Sequence, residues 1–133
     1  MRVTSKTKNL NKRQINKIVN MTVLWCQINM GENNRRKSKF KISVCKQYVK
    51  KEKLMGSFDQ LNNLITVHHN NCHNIKELVS TTIHEYTHYL QPILTYYGKL
   101  YKSFGYEKHP MEIEAVNNEK LYVNCWKEIK NNL

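Results

Sequence analysis

Long apolar runs are absent from this 133-residue chain, and none approaches the roughly 20 residues that span a bilayer. A membrane-spanning helix is not expected. The basic N-terminus is not followed by an apolar core and a small-residue cleavage site, so no secretory signal is expected and a cytoplasmic setting is the default. Paired cysteines are also missing. Cys26, Cys45, Cys72 and Cys125 are widely spaced and show no C-x-x-C, which leaves a zinc-finger reading unsupported and favours reduced thiols over a disulfide framework. No internal repeat, no domain boundary and no recognisable nucleic-acid-binding module is seen. Acidic residues are few: 10 Asp and Glu stand against 22 Lys and Arg, giving a formal net charge of +12. That excess suits attraction to nucleic acid or another polyanion. Its lysines are spread along the chain, however, with tight clusters only at Arg35-Arg36-Lys37 and Lys50-Lys51-x-Lys53, both expected in loops. An AT-rich coding bias toward Lys, Asn, Ile and Tyr accounts for the same composition.

What is present fits one compact α+β domain over residues 1–133, monomeric, with residues 1–9 as a flexible basic tail. Apolar residues Ile15, Ile18, Val19, Thr22, Trp25 and Cys26 follow a helical period across residues 10–30, and Gly31 supplies a stop. The period then becomes two. Phe40, Ile42 and Val44 alternate with polar neighbours, residues 54–60 form a weaker strand around Phe58, and residues 64–69 are rich in β-branched side chains. A small antiparallel sheet of about three strands is therefore expected after the first helix. His68, His69, Cys72 and His73 cluster near its end, but adjacent strand residues point to opposite faces and cannot easily share an ion.

The chemistry concentrates in the next segment. Asn74 can cap a helix, with Glu77 three residues on. Ile75, Leu78, Val79, Thr82, Ile83, Tyr86 and Leu90 form its core stripe, and Pro92 ends it. Within it lies His84-Glu85-Tyr86-Thr87-His88, an H-E-x-x-H pattern. Histidines four apart share one helix face and can hold one metal between them. Glu85, about 100° round the helix from His84, is placed to take a proton from metal-bound water.

A catalytic zinc needs a third protein ligand and keeps one position open. Downstream candidates are Glu107, His109, Glu112, Glu114 and Glu119. Pro110 suits the first turn of a helix running toward Lys130. On that helix Glu112 shares an inward phase with Ala115, Val116, Glu119, Tyr122, Val123 and Trp126. Glu114 falls with Asn117, Asn118 and Leu121. Glu112 is the preferred ligand and Glu114 the reserve. Glu119 is a candidate partner for a ligand histidine, and Glu114 a favourable charge near a helix start.

H-E-x-x-H followed some 24 residues later by Pro110-x-Glu112-x-Glu114-Ala115 resembles the gluzincin class of zinc metallopeptidases, over about residues 54–126. The length is similar to the minigluzincins, and the pattern also resembles ImmA/IrrE-like and phage-encoded H-E-x-x-H families. Val116 stands where the ImmA/IrrE pattern usually has Asn. The resemblance implies a zincin-like fold, one Zn2+ per chain on His84, His88 and Glu112, Glu85 as general base, and hydrolysis of a peptide or protein substrate. An oxyanion donor is expected among Tyr96, Tyr97, Tyr101 and Tyr106. Gly56-Ser57-Phe58-Asp59 is the candidate edge for an extended peptide. Two alternatives stand beside this reading. One is a SprT-like or DNA-associated protease, whose third ligand would be His109. The other is a basic nucleic-acid-binding protein with a non-catalytic metal site.

Overall fold

The computed structural model describes residues 1–34, 39–45, 54–91 and 110–133. The first helix, α1 (Lys12–Met30), opens on a full capping box: Asn11 Oδ1 accepts from Gln14 N, and Gln14 Oε1 accepts from Asn11 N. Its buried stripe is the one the period predicts, from Ile15 to Cys26. Gly31 ends it at φ 88°, a backbone region that glycine enters without steric cost.

Three strands follow, β1 (Lys41–Cys45), β2 (Gly56–Asp59) and β3 (Leu64–His68). The sheet is mixed, in the order β1-β3-β2, which corrects the antiparallel expectation. β2 and β3 form an antiparallel pair across a short connection in which Asn63 adopts φ 53°. β1 lies on the other side of β3 and runs parallel to it, Ile42 opposite Ile65 and Val44 opposite Val67. Alternation fixes which side chains face the core, and both directions satisfy it. Strand 3 also stops one residue early, because His69 enters a 3-10 turn.

The sheet packs on α2 (Ile75–Leu90). Ile65 and Val67 meet the helix stripe Ile75, Leu78, Val79, Ile83 and Tyr86, all fully buried. Phe40, Phe58, Tyr86 and Tyr89 form an aromatic cluster between sheet and helix, with Phe40 and Tyr89 centroids 4.6 Å apart. Buried Thr22, Thr82 and Thr87 each donate to the carbonyl four residues back, which satisfies hydroxyls that would otherwise cost stability.

Residues 1–9, expected as a flexible tail, strap the start of α2 instead. Ile75 N donates to Ser5 O, Lys76 N to Val3 O, and Thr7 N to His73 O. Asn74 Oδ1 takes Glu77 N, so the first-turn donors that a helix leaves open are occupied.

The C-terminal segment is two helices, α3 (Pro110–Asn118) and α4 (Tyr122–Ile129), joined by a 3-10 turn at Glu119–Leu121. Met111, Glu112, Ala115, Cys125, Trp126 and Ile129 are buried, while Val116, ahead of the turn, and Val123, after it, both expected inward, are 50% and 56% exposed. All four cysteines are free thiols. Burial pushes the Cys72 and Cys125 thiols up to about 12, leaving them unreactive packing groups. No helix among the described residues is long and apolar enough to cross a membrane.

Candidate metal centre

His84, Glu85 and His88 leave α2 beside its core stripe, and α3 and the 3-10 turn lie against that flank. The two imidazoles pack edge to face, 4.9 Å apart. Ligand atoms of His84, Glu85 and His88 lie within 4.8 Å of one another, a group that can hold a metal ion.

Glu112, the inward-phased residue of α3, reaches between the histidines. Its Oε1 is 2.9 Å from His84 Nε2 and its Oε2 is 3.1 Å from His88 Nε2. The second approach is an ion-pair distance without hydrogen-bond geometry, so Oε2 is buried with no hydrogen-bond partner. Glu112 thus brings a carboxylate from a second helix to both Nε2 atoms. Glu85 remains a second carboxylate of the same group.

The far side of each ring is held as well. His84 Nδ1 donates to Glu119 Oε2 at 2.8 Å. His88 Nδ1 donates to Gln91 Oε1 at 2.7 Å. Gln91 is fixed in turn, its Nε2 donating to Met111 O at 2.8 Å and to Glu114 Oε1 at 2.7 Å. Each ring thus turns Nε2 toward Glu112, where the protonated ring pairs with the carboxylate. With Nδ1 held as a donor on the far side, loss of the Nε2 proton would leave the Nε2 lone pair, the atom a metal needs, pointing into the site. Asn118 Nδ2 donates to Thr87 Oγ1 at 3.2 Å and ties α3 to the same turn of α2.

The electrostatics follow from this crowding. Burial disfavours a charged His84, but the Glu112 and Glu119 carboxylates outweigh it and hold the ring's pKa above its ordinary value. His88 shifts the same way, through Glu112, Glu85 and Gln91 acting against burial. Burial also acts to raise Glu112, and the two histidines overcome it and keep that carboxyl low. Glu85 is different. It is 7% exposed, and desolvation pushes its carboxyl above the usual carboxylate range despite the neighbouring histidines. One carboxylate of the site is held ionised while the other is poised nearer to taking a proton.

β2 closes the site from the sheet side. A Cβ placed on Gly56 would lie 3.2 Å from Glu85 Cγ and 2.8 Å from Thr81 Cγ2. Only glycine lets the strand come this near the helix.

Several expectations fall outside the described residues: Glu107 and His109, Pro92, the four loop tyrosines 96, 97, 101 and 106, and the basic clusters at 35–37 and 50–53. Glu114 lies on the outer side of α3, as its phase implies, yet it acts on the site through Gln91. Gln91 is a site residue to which the sequence assigned no role. Its signal was its spacing, three residues after His88 on the same side of the helix. Comparison with protein-family models, curated proteins and solved structures gave no match.

Proposed function

We propose that the chain is a zinc-dependent metalloendopeptidase of gluzincin type. The observation that carries the reading is Glu112: a carboxylate from a second helix lies between two imidazole Nε2 atoms whose opposite nitrogens are both already engaged. The donor set suits zinc. Two neutral imidazoles and one carboxylate are a common catalytic trio, and with bonds of about 2.0–2.1 Å the edges of a tetrahedral site are about 3.3 Å. The separations, 2.9 Å from His84 Nε2 to Oε1 and 3.1 Å from His88 Nε2 to Oε2, are ion-pair distances shorter than such an edge, so the carboxylate and rings already converge and would part slightly to admit an ion. Glu112 Oε2, buried and without a hydrogen-bond partner, is the kind of atom an ion would satisfy.

His84, His88 and Glu112 would hold the ion. Bound there, zinc supplies a Lewis acid that polarises a carbonyl and makes water a nucleophile near neutral pH. Glu119 and Gln91 keep the two rings in the required tautomer. Glu85 accepts the proton from the attacking water at its carboxylate and later gives it to the leaving amine. Its burial suits both halves of that task, since a raised pKa makes the carboxylate a better base and the protonated form easier to reach.

An extended peptide has a place to pair. β2 is an edge of the sheet among the described residues, and Gly56 brings that edge against Glu85. Substrate adding along β2 would have its backbone fixed next to the base. Ser57→Pro is expected to raise KM while metal stays bound. An unchanged KM in a folded variant removes the pairing from the proposal.

The central test pairs two variants. Glu85→Gln is expected to retain one zinc per chain by elemental analysis and to lose about 10³-fold or more of peptide hydrolysis. Glu112→Ala is expected to lose the zinc itself. Zinc absent from the wild-type chain, or full activity in Glu85→Gln, overturns the reading.

A further inference from the structure

A second concave feature lies at the opposite end of α2 from the histidines. Between the N-terminal strap, the start of α1 and the turn after β3 is a pocket of about 760 Å³. Its floor includes Leu10, Ile15 and Cys72, and Lys6, Lys8 and Lys12 stand on its walls. Among the described residues no Asp or Glu lines it. α1 begins at this wall with no acidic residue in its first turn. Glu77, on the first turn of α2, accepts from His73 N and is not part of the lining. Positive charge therefore gathers at the pocket, with no carboxylate among the described lining residues to neutralise it.

We propose that this pocket binds a phosphorylated small molecule of nucleotide size. The lysines supply phosphate recognition as mobile point charges, each able to donate three hydrogen bonds. The volume lies within the roughly 300–1,000 Å³ typical of small-molecule sites and exceeds what a lone phosphate fills. Leu10, half-buried at the pocket, offers apolar surface to the remainder of the ligand, with the core residue Ile15 behind it. Concavity also separates this site from a polynucleotide surface, which follows a backbone along an open basic stripe. His84 is nine residues beyond Ile75, about 13.5 Å along the helix, so the pocket is distinct from the metal centre. The proposal is independent of the peptidase reading.

The strap that forms the wall also binds the first turn of α2 through Val3 and Ser5. Ligand held by Lys6 and Lys8 would therefore stabilise the seam between strap and helix as well as the pocket itself.

The test is calorimetric titration of the full chain with ATP, AMP, adenosine, inorganic phosphate and a short duplex DNA. ATP is expected to bind one per chain, with adenosine and phosphate each at least tenfold weaker. Combined Lys6→Ala, Lys8→Ala and Lys12→Ala is expected to cost ATP at least tenfold in affinity. A control removing the same charge elsewhere, Lys120→Ala with Lys127→Ala and Lys130→Ala, is expected to change it less than twofold. All six side chains are exposed, so both triple variants should keep the wild-type melting temperature in the absence of ligand. The proposal is overturned by any of four results. These are no saturable binding of either nucleotide, equal loss in the two triple variants, phosphate binding as tightly as ATP, or DNA that binds more tightly and displaces the nucleotide.

Discussion

The two faces of α2 are buried to a similar degree and do opposite things. On one, Ile75, Leu78, Val79, Thr82, Ile83 and Tyr86 have no solvent exposure. On the other, Glu85 and His88 are 7% and 8% exposed. Apolar burial stabilises by about 25 cal/mol per Å². Buried ionisable groups cost several kcal/mol each in desolvation, and their mutual attraction often only offsets that. The polar face persists because α3 and the turn after it bring partners: Glu112 and Glu119 to His84, Glu112 to His88, and Glu114 to Gln91, which holds His88. A fold seeking stability alone would place Leu or Ile there. The lesson is that one helix carries both a large share of the core and a costly polar cluster, with Glu85 about 90° and the two histidines about 150–170° round the helix from the centre of the apolar stripe.

The sharpest way to break this separation is to damage the apolar face. Leu78→Ala removes a fully buried side chain six residues before His84. It should destabilise the protein by about 2–5 kcal/mol, read as a lower urea midpoint with unchanged m-value. Metal stoichiometry in the folded fraction should be untouched. If folded Leu78→Ala binds no metal, the two faces are one cooperative unit and the comparison fails.

The apolar face was legible in the sequence because burial on a helix follows a period of 3.6, and nothing in this chain disturbs it between Ile75 and Tyr86. The same phase argument separated Glu112 from Glu114, and the two side chains do lie on opposite sides of α3. It failed further on, at Val116, which lies within α3 at the edge of its buried stripe, and at Val123, which lies past the 3-10 turn. A 3-10 turn advances about 120° per residue in place of 100°, and the period carries no mark of the change. Strand direction was also hidden, since alternation for β1 is the same whether it runs with or against β3. The docking of residues 1–9 rests on backbone bonds from Val3, Ser5 and Thr7, which side-chain patterns do not report. The role of Gln91 depends on four groups from two helices and exists only in the folded chain.

A smaller perturbation acts where the sheet meets the polar face. In Gly56→Ala the new methyl would sit 2.8 Å from Thr81 Cγ2, 3.1 Å from Thr66 O and 3.2 Å from Glu85 Cγ. Thr66 O belongs to the paired strand and cannot yield, so the helix side chains must. Overpacking of this kind costs about 1–3 kcal/mol. Because Glu85 is one of the groups displaced, the loss in kcat should exceed the fraction unfolded at the assay temperature, with zinc content unchanged. A kcat per folded molecule equal to wild type would mean that the strand contact does not position Glu85.

The smallest expected effect distinguishes the two histidines. His88 is held by a neutral amide, Gln91, itself anchored by Met111 O and Glu114. His84 is held by the carboxylate of Glu119, whose side chain is 38% exposed. Exposure weakens what that charge contributes, since solvent screens it. Glu119→Gln keeps the length and an acceptor oxygen for His84 Nδ1 and removes only the charge, making the two supports alike. Loss of a supporting partner of this kind typically costs 10–100-fold in metal affinity. With geometry retained and the carboxylate partly solvated, the lower end applies, so zinc affinity measured by chelator competition should fall about tenfold. Turnover at saturating zinc should change little, because Glu85 and the ligand set remain. Glu119→Ala, which removes the acceptor as well, should fall further. If Glu119→Gln binds zinc as wild type does while Glu119→Ala is weakened, the hydrogen bond matters and the charge does not, and both rings are then held by geometry alone.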